Sequence, residues 1–202
     1  MNKKNIVKVM ATPIMATTLL LSTSGVFFKN EGTVYAAVDK TTEANKYADV
    51  LMKYLNDFEK QIDYLNNLDE EDMGEKEIQD VLTFINKNYK DADYVKKNYN
   101  AELAKIHENL DNYVYSLYDI YSYALEEEYD EDTLEEELFY LIMQSLDGAM
   151  EYGEGLAKYV GKYNIKPNNN LKQLVEDFGG ELKETTPTIS TYTVKKGDNL
   201  YI

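Results

Sequence analysis

From Tyr99 to Ala124 the residues Tyr99, Leu103, Ile106, Leu110, Tyr113, Leu117, Ile120 and Ala124 step by four and three without a break. That spacing draws one apolar seam down a helix, and a helix bearing it is stable only when other helices cover the seam. It predicts a single long helix over 91–129, packed on long partners at the shallow angle of a bundle. Sheet folds are thereby disfavoured.

Three more stretches carry the same period. In 42–68 the stripe is Tyr47, Leu51, Tyr54, Phe58, Ile62 and Leu65, and the polar run that follows, closing on Gly74, predicts a stop with a helix-ending glycine. Residues 75–89 place Ile78, Val81, Leu82 and Ile85 on one side. A fourth helix is expected from Asp132 or Thr133, whose side chains can cap a free backbone N–H, to about Tyr163. Its inner face is Leu134, Leu138, Leu141, Ile142, Leu146, Ala149, Leu156 and Val160. Gly148, Gly153, Gly155 and Gly161 fall inside it, each costing about 1 kcal/mol relative to Ala. Either that helix is broken, or close backbone approach repays the loss. Pro167 cannot continue it, and a short last helix, 171–178, ends at Gly179 and Gly180. The fold class expected is all-α: an antiparallel bundle of four main helices plus a short C-terminal helix over 37–180. A Thr/Pro-rich linker at 181–190 and a separate segment at 191–202 follow it.

Residues 1–36 have the zones of a secretory signal. Lys3, Lys4 and Lys8 stand at the front, an uncharged stretch runs from Val9 to Phe28, and Val34-Tyr35-Ala36 forms a small-residue exit, with cleavage expected after Ala36. An uncleaved anchor is the competing reading, opposed by the Thr and Ser residues that dilute the stretch. Once the signal is cleaved, no membrane span is expected. The chain has no cysteine, so neither a lipidated cysteine nor a disulfide can hold it. All 21 basic groups are lysines, and the plentiful Lys, Asn and Tyr fit the AT-rich genome of a low-GC Gram-positive bacterium.

Residues 1–36 hold four of the 21 basic and one of the 37 acidic groups, leaving 17 against 36, a net −19. Nucleic acid is therefore not an expected partner, because phosphate neutralisation needs clustered Lys or Arg. No cofactor is expected either.

Three groups of candidate residues emerge. Nine acidic residues surround one expected turn at 126–137, and Glu128, Asp130 and Asp132 form the candidate site for a hard cation such as Ca²⁺. A solvated acidic surface is the competing reading, and the spacing does not match the twelve-residue calcium loop. His107 is the only histidine, which excludes sites needing two imidazoles; at the edge of the stripe it should be solvated or partly packed, without catalytic partners. Tyrosine occurs 19 times, and Tyr113, Tyr118 and Tyr121 should be buried with their hydroxyls at the rim. Tyr115 and Tyr123 should face solvent as candidate partner-binding residues.

The segment Thr191-Tyr-Thr-Val-Lys-Lys-Gly-Asp-Asn-Leu-Tyr-Ile202 resembles the opening of a lysin motif (LysM), a small module that binds N-acetylglucosamine polymers in cell walls. Tyr192-Thr193-Val194 matches the family's first strand and Gly197-Asp198-Asn199-Leu200 the loop into its first helix, with Asn199 where Thr or Ser is common. The resemblance covers 12 of 202 residues, so the module is expected to be a truncated one. It implies saccharide contacts at Gly197, Asp198, Asn199 and Leu200, and peptidoglycan or another N-acetylglucosamine polymer as partner when the module is complete.

The functional expectation is a secreted, non-catalytic protein of the cell surface or cell wall, its bundle meeting a protein partner and its tail being a remnant of a wall anchor. Two alternatives stand beside it: a freely secreted helical factor, such as a toxin component or inhibitor, and a cell-wall hydrolase using carboxylates.

Overall fold

A computed structural model describes residues 37–68, 74–125 and 131–182, and every regular element among them is helical. In chain order these are α1 (Ala37–Asn67), α2 (Glu75–Asn88), α3 (Ala92–Asn98), α4 (Ala101–Tyr123), α5 (Glu131–Lys162) and α6 (Asn169–Asp177). The expected signal, the linker from 183 onward and the lysin-motif-like tail lie outside the described residues.

The long helix expected over 91–129 is two helices, α3 and α4. Its seam is continuous in sequence, but Asn100 interrupts the backbone: the Oδ1 of Asn100 accepts from Glu102 N and Leu103 N, each at 3.0 Å. A side chain that satisfies free N–H groups starts a new helix more readily than it continues an old one. Tyr99 stands between the two in an extended conformation. Asp91 caps α3 in the same manner through Tyr94 N at 2.8 Å.

Gly74 does not end α1. It is the residue before α2, at an unstrained φ of −111°, and its N–H donates to the Glu77 carboxylate at 3.1 Å. The ends of α5 and α6 are as glycine and asparagine chemistry requires. Asn164 adopts a left-handed φ of 48° and Ile165 N bonds back to Val160 O, while Gly179 at φ 76° lets Gly180 N reach Val175 O at 2.8 Å. Asn168 caps α6 through Leu171 N.

Contacts far apart in sequence fix the directions. Ile106 lies against Gly155, and Tyr113 and Asn109 lie against Gly148, so α4 and α5 run antiparallel. Lys40 meets Tyr159 and Tyr47 meets Tyr152, which makes α1 antiparallel to α5. Phe84 stacks on Phe58 and Tyr54, and Tyr89, just past the end of α2, meets Tyr54, so α2 runs antiparallel to α1. One end of the bundle is tied by Asn100, which donates to Glu43 and to the Tyr159 hydroxyl, and by Glu102, which accepts from Lys162 Nζ and Tyr163 OH. α6 lies between α1 and α5 and is pinned to α1 where Asn168 and Asn170 donate to Asp49.

All six stripe residues of α1 and all four of α2 are buried. Each such side chain contributes about 2 kcal/mol by leaving water. α4 buries more than its heptad: His107, Val114 and Tyr121 make a second line, because α5 covers one side and α3 and α2 cover another. α5 is unbroken through Gly148, Gly153 and Gly155, and each of these three accommodates a close neighbour. Only Gly161 faces open space. On the expected inner face of α5, Leu141, Ile142 and Leu146 are half-buried, whereas Tyr152 and Tyr159, absent from that expectation, are buried.

Candidate functional site

The expectation for His107 is corrected. It is 1% exposed and stands in the middle of the bundle, because its place on α4 faces α1, the α2–α3 connection and α5 together. Tyr47 of α1 meets its Nδ1 at 2.7 Å, and the Lys90 carbonyl meets its Nε2 at 2.7 Å. The Tyr89 hydroxyl is 3.2 Å from Nε2, and the Tyr89 ring stacks on the imidazole at 5.8 Å. Tyr152 of α5 joins through Tyr47 at 2.7 Å.

The donors and acceptors in this network can be assigned by elimination. A carbonyl only accepts, so Nε2 carries the proton and donates to Lys90 O. In the neutral ring Nδ1 is then an acceptor, and the Tyr47 O–H donates a hydrogen bond to it. Tyr47 has no second proton, so Tyr152 donates to it. Tyr89 donates to Asp111 Oδ1 at 2.7 Å, leaving its lone pair to Nε2–H. Asp111, one turn along α4, also accepts from Ala92 N at 3.0 Å, which fastens the start of α3.

Electrostatics agree with a neutral ring. Burial pushes the His107 imidazole down to about 4, outweighing the Lys90 carbonyl and Asp91, which act the other way. Burial raises the Tyr47, Tyr89 and Tyr152 hydroxyls well above their ordinary value, so all three stay protonated. Asp111 is also raised by burial, despite the two hydrogen bonds that favour its charged form. At 3.7 Å from a neutral imidazole it forms no ion pair.

A cleft opens beside this network, lined by Tyr47, Val50, Leu51, Tyr54, Lys90, Tyr94, Val95, Tyr99 and His107. Its walls are almost wholly apolar. Tyr54 has a buried hydroxyl with no partner among the described residues, and so has Tyr121. Tyr113 and Tyr121 are buried as expected, but the enclosed Tyr121 hydroxyl corrects the expectation that it reaches the rim; Tyr118 is half-buried, with a hydroxyl that accepts from Asn86 at 3.1 Å. Changing Tyr121→Phe removes an unpaired buried hydroxyl and is expected to stabilise the protein by about 1 kcal/mol. Tyr47→Phe, which leaves Nδ1 and the Tyr152 hydroxyl without their partner, should cost about 2 kcal/mol. Urea denaturation of the two variants checks the opposite signs.

The other candidates scatter. Tyr115 is exposed as expected, its ring set edge-on to that of Tyr89 with the centroids 6.0 Å apart. Tyr123 does not face solvent: three residues after buried Ile120 and next to buried Ala124, it lies back on the core half-buried. Glu128 and Asp130 fall outside the described residues, as do Gly197, Asp198, Asn199 and Leu200. Asp132 lies in the first turn of α5, with its side chain outside the description. Among the described residues no group of three or more His, Asp or Glu is placed to hold a metal ion. No described helix is long and apolar enough to cross a membrane.

The tyrosine partners of His107 went unseen in the sequence because they sit on three other elements; Tyr47 and Tyr152 are 105 residues apart. Only His107 and Asp111, at helical spacing, gave a local signal. Comparison with family models, curated proteins and solved structures finds no match to this chain.

Proposed function

We propose that this is an exported, non-catalytic protein of a Gram-positive cell surface. Its helical bundle is the partner-binding part, and the segment 191–202 is the opening strand and loop of a peptidoglycan-binding lysin motif. The observation that carries the non-catalytic half is the use of both nitrogens of the single histidine inside the core, where burial holds the ring neutral. An imidazole so placed is a packing element, unable to reach a substrate proton. Export rests on the three zones of 1–36, and the wall-directed half on the order Tyr-Thr-Val, Gly-Asp-Asn-Leu in the tail.

Co-sedimentation with purified peptidoglycan tests the wall-binding half, comparing the chain with a version extended by a complete lysin motif. The extended form is expected to pellet with the wall and the chain itself to pellet weakly. If both remain in solution, wall attachment through this fold is wrong. Release of labelled muropeptides by the chain would overturn the non-catalytic half.

A further inference from the structure

The outer face of α5 near its start departs from the rest of the surface. Phe139, Tyr140 and Met143 are 64%, 67% and 42% exposed, and their spacing of one and four puts them side by side. The core-facing line of the same helix, Leu138, Ser145, Ala149 and Tyr152, points elsewhere. Large apolar side chains grouped in this way mark surfaces that another molecule covers.

Charge says which molecule. Residues 106–157 contain fifteen carboxylates and not one lysine. Glu136 and Glu137 are exposed one turn before the apolar group, and Asp147 and Glu151 are exposed after it, so the patch is framed by negative groups at both ends. A second copy of this chain would bring those carboxylates against their own kind. We infer that this face of α5 docks a cationic amphipathic helix of another protein, whose apolar side covers Phe139, Tyr140 and Met143. Its lysines or arginines extend over Glu136, Glu137, Asp147 and Glu151. Long cationic side chains suit that geometry, since their methylene stems cover apolar surface while their charged ends stay in water.

The inference gives a site to the partner-binding role proposed for the bundle, and its test is separate from the wall assay, so either can fail alone. The probe is a fluorescent synthetic helix of leucine and lysine, with a leucine and glutamate helix of the same apolar face as its counterpart. Anisotropy titrations of the full chain are expected to show binding of the lysine helix only. The double variant Phe139→Ser/Met143→Ser changes no charge and should weaken that binding about tenfold or more, while Val50→Ser, at an exposed residue of the tyrosine-lined cleft, should leave it unchanged. Glu136→Gln/Glu137→Gln should weaken it and reduce its salt dependence. Circular dichroism of each variant should match the wild type, because the altered side chains are exposed. Undiminished binding by the double variant would mean attraction by net charge alone and would overturn the inference. So would equal binding of the glutamate helix, no binding of the lysine helix, or sedimentation of the chain as a dimer that the double variant dissolves.

Discussion

Alanine at Gly153 is expected to lower the stability of the protein by about 3 kcal/mol or more, through overpacking that no side-chain movement can relieve. A Cβ there would lie 2.0 Å from the Phe178 carbonyl oxygen and 2.5 Å from its carbon. Both are backbone atoms of the turn that leaves α6. Gly180 meets Gly153 from the other side, its own Cβ position 2.3 Å from Gly153 O. To admit the methyl group the end of α6 must lift away, withdrawing the Phe178 ring from its edge contacts with Tyr152 at 5.1 Å and Tyr113 at 5.6 Å. Gly161→Ala is the matched control. It faces open space near the end of the same helix, and relief of glycine's backbone entropy should stabilise by up to about 1 kcal/mol. Thermal and urea unfolding followed by helical circular dichroism would measure both. A Gly153→Ala protein with the wild-type midpoint would show that α6 does not rest on α5.

The second large effect belongs to His107. His107→Ala should cost about 4 kcal/mol: it opens a cavity in the core, leaves the Lys90 carbonyl without its donor and takes from the Tyr47 O–H its acceptor. The same residue gives the wild type an acid sensitivity whose sign follows from proton counting. An unfolded imidazole takes up its proton near pH 6.5, whereas the folded one waits until about pH 4. Between those values the unfolded chain binds more protons, so stability falls as acid is added. The whole interval is worth about 3 kcal/mol. The groups facing the ring are the hydroxyls of Tyr47, Tyr89 and Tyr152, which stay neutral, and the carboxyls of Asp91 and Asp111. Asp111, raised by burial, takes its proton earlier in the folded state and offsets part of the loss near the lower end. His107→Gln can still donate to Lys90 O and accept from Tyr47. It should keep more stability than the alanine variant while losing the slope between pH 6.5 and 4. Identical slopes in the wild type and the glutamine variant would show that His107 is not the group responsible.

How much of this was legible depends on the range of each signal. The stripes Tyr47 to Leu65 and Ile78 to Ile85 read correctly because periodicity is a property of one helix and its own side chains. Asn100 carried a break that the heptad masked: an apolar seam runs through a capped junction without a change of step, and the cap shows only in the Asn-Tyr-Asn polarity around Tyr99. Tyr123 was misplaced for a related reason. A wheel drawn from one seam assumes a single covered side, whereas α4 has neighbours on more than one.

The glycines of α5 divide the two kinds of knowledge most sharply. Spacing along the chain pointed to helices with buried stripes over 37–180 and to a last helix ended by Gly179 and Gly180, and composition to a strongly acidic chain. They could pose, without answering, whether Gly148, Gly153, Gly155 and Gly161 mark a broken helix or close neighbours. Tertiary packing decided that the helix continues, that Phe178 rests on Gly153 while a Cβ at Gly161 would meet no neighbour, and that His107 is sealed among tyrosines from α1, the end of α2, and α5. The reason is distance along the chain: helical preference acts over a few residues, but which side chains fill a given gap depends on elements that meet only when the bundle closes.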